Sequence, residues 1–173
     1  MKRSALFAFL FSVSVLAAAE APQAQVDRGR ELFLHSSKGM ACATCHQLEG
    51  KGTAVGPDLV QLASVVGPRA MVITIKMTMT AYVQEVKLHS GRTFPGIPKE
   101  KHADVVEIYD VSQKPPMLEK FHSADIKSMQ QNSKWSHPPT SAGYTDEELA
   151  DIIAYLKFAG TGKVQQVSVA ELK

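Results

Sequence analysis

Residues 42–46 read Cys42-Ala43-Thr44-Cys45-His46, and both cysteines of the 173-residue chain lie within them. Two residues between thiols leave several chemistries open. In an exported chain such a pair can close as a disulfide, though the ring is tight. It can also act as a redox dithiol, which in thioredoxin-like chains opens a helix after a strand. The preceding residues, Arg28-Gly29-Arg30-Glu31-Leu32-Phe33-Leu34-His35 and then a glycine-containing loop, carry no strand pattern.

The histidine directly after the second cysteine points elsewhere. C-x-x-C-H is the attachment sequence of a c-type haem. Two thiols at this spacing reach two vinyl groups on one edge of a porphyrin. The adjacent His46 can then turn its imidazole onto the iron, and one short helical turn achieves both. Cys42, Cys45 and His46 are therefore the candidate attachment residues for one covalent haem c, with His46 an iron ligand.

Haem attachment of this kind follows export, and the N-terminus fits. Lys2 and Arg3 precede an apolar run over 5–16, then Ala17-Ala18-Ala19. That is the plan of a signal peptide over residues 1–19, with an uncleaved N-terminal anchor as the alternative. No later segment is long and apolar enough to cross a bilayer, so no membrane span is expected after cleavage. Residues 20–173 are then expected to form a single domain, periplasmic or otherwise exported. The composition, 45% hydrophobic and 21% charged, suits a globular chain. Removing Lys2 and Arg3 from 19 basic residues leaves 17 against 17 acidic ones. Such formal neutrality gives no concentrated basic face for nucleic acid.

The residues flanking the motif resemble the class I, monohaem cytochrome c family. Residues 29–33, Gly-Arg-Glu-Leu-Phe, look like its N-terminal helix, with Gly29 where another helix packs closely. Gly56-Pro57-Asp58-Leu59 resembles its proximal loop. The resemblance implies that the Pro57 carbonyl accepts a hydrogen bond from His46 and fixes its tautomer. Residues 147–157, EELADIIAYLK, resemble its C-terminal helix. That helix also stands on its own signals. Thr145 and Glu148 form a capping box, and Leu149, Ile152, Ile153 and Leu156 share one face. Gly160 suits the stop.

Between about 81 and 122 the sequence reads as strands. Tyr82, Val83, Val86 and Leu88 lead to a turn at Ser90-Gly91; 93–97, 105–109 and 117–121 return as further strands. Pro95 marks an edge or bulge. This arrangement resembles the planctomycete-type haem-binding cytochrome c domains, which carry a strand–turn–strand insert before the distal loop; Ser123 to Met129 looks like the short segment after it. The expected fold class is mainly α: a cytochrome c-like helical haem domain with a small antiparallel β insert. Residues 69–80 combine a helix start with the alternation Ile73, Ile75, Met77, Met79, and read as a short helix running into a strand. The tail over 161–173 reads as an extended arm or a disordered end.

The second axial ligand should come from the loop before the last helix, residues 133–143, SKWSHPPTSAG. The resemblance predicts methionine there; this chain has His137, backed by Pro138 and Pro139. His137 is the expected ligand, Met129 the rival, and an open site the third case. Trp135 either packs on the haem edge or caps the core. His35, His89, His102 and His122 read as surface histidines.

The expected function is a one-electron carrier in a periplasmic chain, not an enzyme. Its expected partners are a periplasmic dehydrogenase or a respiratory complex. The alternatives are a haem-based sensor or peroxidase-like enzyme with an open sixth position, and a haem-anchored module that docks through the insert.

Overall fold

A computed structural model describes residues 21–36, 38–77, 82–137 and 143–173. The expected signal segment, and Pro138 and Pro139, lie outside the described residues.

Helix α1 (Pro22–Leu34) begins on a proline, whose fixed φ suits the first helical turn. Val26, Gly29 and Phe33 are its buried stripe. They pack on α4 (Asp146–Thr161), which is buried almost all round from Leu149 to Leu156. Gly29 makes this crossing possible, because a Cβ there would overlap the Asp151 carbonyl. Arg28 then clamps Asp151 with two hydrogen bonds of 2.8 and 2.9 Å, and the Phe33 and Tyr155 rings meet edge to face at 5.7 Å.

The start of α4 is as the sequence implies. Thr145 N–H donates to Glu148 at 2.7 Å, and Glu148 N–H donates back to Thr145 Oγ1 at 3.2 Å. Its stop differs. The helix runs past Gly160 and ends at Gly162, which adopts φ of 69°. Gly160 is instead a close-approach glycine, with α2 (Leu59–Val65) against it. Lys157 reaches across to donate to the Ala63 and Val66 carbonyls at 2.7 and 3.2 Å, satisfying the end of α2.

Residues 68–76 form a helix throughout, α3 (Pro68–Lys76), with Met71 and Val72 buried. The expected strand over Ile73–Met79 fails in its first half, because Pro68 sets a helical start and burial follows helical spacing. Its second half, from Thr78, lies outside the described residues.

The fold is not mainly α. Five strands, β1 (Gln84–Leu88), β2 (Thr93–His102), β3 (Val105–Asp110), β4 (Met117–His122) and β5 (Ile126–Gln131), form one antiparallel sheet in the order β4-β3-β2-β1-β5. The segment expected to follow the insert, 123–129, divides into a 3₁₀ turn over Ser123–Asp125 and most of the fifth strand, which returns to pair with β1, Val86 opposite Met129. With β5 in place the sheet closes over a core of its own, in which Val86, Leu88, Phe94, Val106 and Ile108 are buried. The chain is thus α+β, with two hydrophobic cores.

Pro95 lies in an interior strand, but Val111 N–H donates to its carbonyl just past the end of β3. Its missing N–H therefore faces the side where that neighbour has ended. The tail is a docked arm. Gln25 brackets Val167 with two hydrogen bonds, 2.8 Å to its carbonyl and 2.9 Å from its N–H, and Val167 and Leu172 are buried.

Candidate haem site

Residues 42–44 form a single 3₁₀ turn. Cys45 N–H and His46 N–H both donate to the Cys42 carbonyl, at 3.1 and 2.9 Å. This tight turn puts both sulfurs and the imidazole on one wall of a cavity of about 410 Å³. Cys42 and Cys45 are not joined to each other as a disulfide. Burial pushes Cys42 up to about 11 and raises Cys45 as well, so both are protonated at neutral pH.

The loop over 48–57 wraps under the turn. Thr53 N–H donates to the Ala43 carbonyl at 2.9 Å, and Gly56 N–H to the Cys45 carbonyl at 2.6 Å. Gly56 lies flat behind His46, since a Cβ there would come within 2.6 Å of the ring. Next along the loop, Pro57 O is 2.9 Å from His46 Nδ1. A carbonyl only accepts, so Nδ1 carries the proton and Nε2 keeps its lone pair. Burial lowers the His46 pKa; the Pro57 bond opposes this and the nearby His137 adds to it. A neutral imidazole with one fixed tautomer is the form that binds a metal.

His137, in the segment after β5, lines the same cavity. Its ring centre is 6.1 Å from that of His46, with 32° between the planes. Trp135 lines the cavity and meets His137 edge to face at 6.3 Å; its backbone N–H is held by Asn132 Oδ1 at 3.0 Å. Met129 sits elsewhere. It packs against the core of the sheet and does not line the cavity. His102 and His122 pair with Glu100 and Asp104 on the surface.

The sequence gives no sign of how much of the cavity the sheet provides. Tyr82 before β1, Ile97 on β2, and Val111, Gln113, Lys114 and Pro116 after β3 all line it. Register explains why. Gln131, Gln84, Gly96, Asp110 and Met117 form one row across the sheet. Tyr82 and Ile97 lie to one side of that row and Val111 to Pro116 to the other, so the cavity meets the sheet where β1 begins and where the β3–β4 turn leaves it. The Pro115-Pro116 break was the available signal, but nothing in it told which way the turn faces.

The chain matches the cytochrome c family over residues 26–159. It belongs to that family. No curated protein sequence matches it. Family membership implies a covalently bound haem c with its iron, and haem-based electron transfer. The residues of this cytochrome fit that group. Two metal-bound imidazoles, each with a nitrogen–metal bond of about 2.0–2.1 Å and a ring centre about 1.1 Å farther out, stand roughly 6.3 Å apart. The observed 6.1 Å leaves room for one iron between His46 and His137. The cavity walls are largely apolar, as Phe33, Leu149, Ile152 and Leu156 illustrate, and its volume falls within the roughly 300–1,000 Å³ of cofactor sites.

Proposed function

We propose that this cytochrome is an exported, single-haem electron carrier, not an enzyme, whose iron is held by His46 and His137. One observation carries the reading: both imidazoles line the cavity, with ring centres 6.1 Å apart. The chain has one C-x-x-C-H and no further cysteine, which supports a single haem. The bound group supplies an iron that cycles between ferric and ferrous states.

The residues of the chain do the rest. Cys42 and Cys45 tether one edge of the haem through thioethers. Pro57 and Gly56 orient His46 from behind, and Trp135 buttresses His137. The apolar walls keep water from the iron. Two imidazoles give a lower potential than imidazole with thioether, so the carrier suits an early, low-potential step. The planctomycete-type insert fits the same picture, with the β sheet supplying part of the lining of the haem site.

The expected electron donor is a periplasmic dehydrogenase or a respiratory complex. Met77, which lines the cavity and is 53% exposed, together with near-neutral formal charge, favours docking by apolar contact and weak steering.

Optical and EPR spectra of the haem-loaded protein test the reading. His137→Ala is expected to lose the low-spin ferric signal, while Met129→Ala keeps it. A long-wavelength methionine–iron band in the unaltered protein, lost in Met129→Ala, would refute it. Ferrous protein that binds carbon monoxide rapidly would favour the sensor or peroxidase class instead.

A further inference from the structure

The chemistry of haem c poses a question the thioethers leave open. Cys42 and Cys45 fix the vinyl edge, and the opposite edge carries two carboxylates. A carboxylate in or beside an apolar cavity needs hydrogen bonds or a cation. Among the described residues lining this cavity, Lys114 is the only lysine or arginine. The only acidic one is Asp58, which is already used to cap α2 through Val60 N–H at 2.8 Å.

Lys114 is also uncommitted. Four other cations of the insert are taken: Arg92 by Asp110 and Glu119, Lys99 and Lys120 by Glu107, and Lys87 by Glu85; Lys101, on β2, does not line the cavity. Lys114 makes no ion pair among the described residues. It sits on the turn between β3 and β4, between Gln113 and Pro116, which line the same wall. That turn is anchored: Val111 N–H bonds to Pro95, and Ser112 donates twice to Asp110, from its N–H at 2.8 Å and its hydroxyl at 2.6 Å.

We propose that Lys114 pairs with a carboxylate of the bound haem, so that the β sheet supplies charge compensation that tunes the reduction potential. The inference rests on the haem reading above. A cation at the haem edge favours the ferrous state and keeps the carboxylate ionised. Removing it should favour the ferric state and let the carboxylate take up a proton at higher pH.

The test uses haem-loaded protein at low ionic strength, where a part-exposed pair is least screened. Midpoint potentials are measured by spectroelectrochemistry between about pH 5 and 8 for the unaltered protein, Lys114→Gln and Lys114→Arg. Lys114→Gln is expected to shift the potential downward and to make it fall more steeply with rising pH. Lys114→Arg is expected to track the unaltered protein. An unmoved Lys114→Gln, with its visible spectrum intact, overturns the proposal but leaves the haem reading standing. Equal shifts in both variants also overturn it, since packing and not charge would then be responsible. An unaltered protein that holds no haem after denaturation refutes the haem reading and this proposal with it.

Discussion

Gly29 on α1 lies against the backbone carbonyl of Asp151 on α4, closer than any side chain permits. The crossing of these two helices is set at that point, and Phe33, Tyr155 and the Arg28–Asp151 pair depend on it. Gly29→Ala is therefore expected to force the helices apart and to cost about 3 kcal/mol, at the upper end for overpacking. Chemical denaturation should show a lower midpoint with the slope unchanged.

Gly56 plays the same part for the imidazole. A methyl at this position would come within 2.6 Å of His46 Cε1. Gly56→Ala should leave global stability nearly intact while displacing the ring that binds iron. The expected readout is a mixed high-spin and low-spin ferric spectrum. A spectrum identical to that of the unaltered protein would show that the loop yields freely.

The fully buried Tyr155 donates its hydroxyl to Glu49 Oε2 at 2.9 Å, with the Arg30 guanidinium 5.2 Å above its ring. Burial, then the Glu49 carboxylate, pushes the phenol up to about 12. Tyr155→Phe keeps the ring packed on Phe33 but strips Glu49 of a donor. A loss of about 1–2 kcal/mol is expected, measured by thermal or urea unfolding.

Asp110 predicts the acid behaviour of the sheet. It is 1% exposed. Burial alone would raise its carboxyl, but hydrogen bonds from Ser112 and the Arg92 guanidinium outweigh burial and hold it below its ordinary value. A lowered folded value means stability that is complete above the ordinary carboxylate range and lost as pH falls through the folded value. Asp110→Asn should cost about 2 kcal/mol near neutrality. The gap to the unaltered protein should narrow below about pH 4, seen in urea midpoints measured across that range. A gap constant with pH would assign the loss to packing.

The helices and the proximal half of the site were legible because their signals are local. Cys42 to His46 is one turn, the capping-box residues Thr145 and Glu148 are three positions apart, and Pro57 follows eleven residues after His46. The sheet was legible only strand by strand. Residues 126–131, Ile-Lys-Ser-Met-Gln-Gln, carry little alternation, and their strand character comes from pairing with β1 some forty positions earlier. Met129 therefore looked like a rival ligand when it is packed opposite Val86. Ile73 and Ile75 alternate with polar residues as a strand would, yet Pro68 and the buried pair Met71 and Val72 commit them to a helix. The tail offered no periodicity at all, since what fixes it is the amide of Gln25, at the opposite end of the domain.

The pairing of β1 with β5 has a further consequence, for the order in which the protein assembles. The proximal wall, residues 42–57, closes through contacts between near neighbours in the chain and costs little loop entropy. His137 follows β5, whose pairing with β1 joins residues some forty positions apart. Contacts of such long sequence separation form slowly. The half of the pocket that carries the thiols thus matures first, and the half that carries His137 shuts over it last. On that order the proximal wall with its two thiols stands before the wall that carries His137 closes the site.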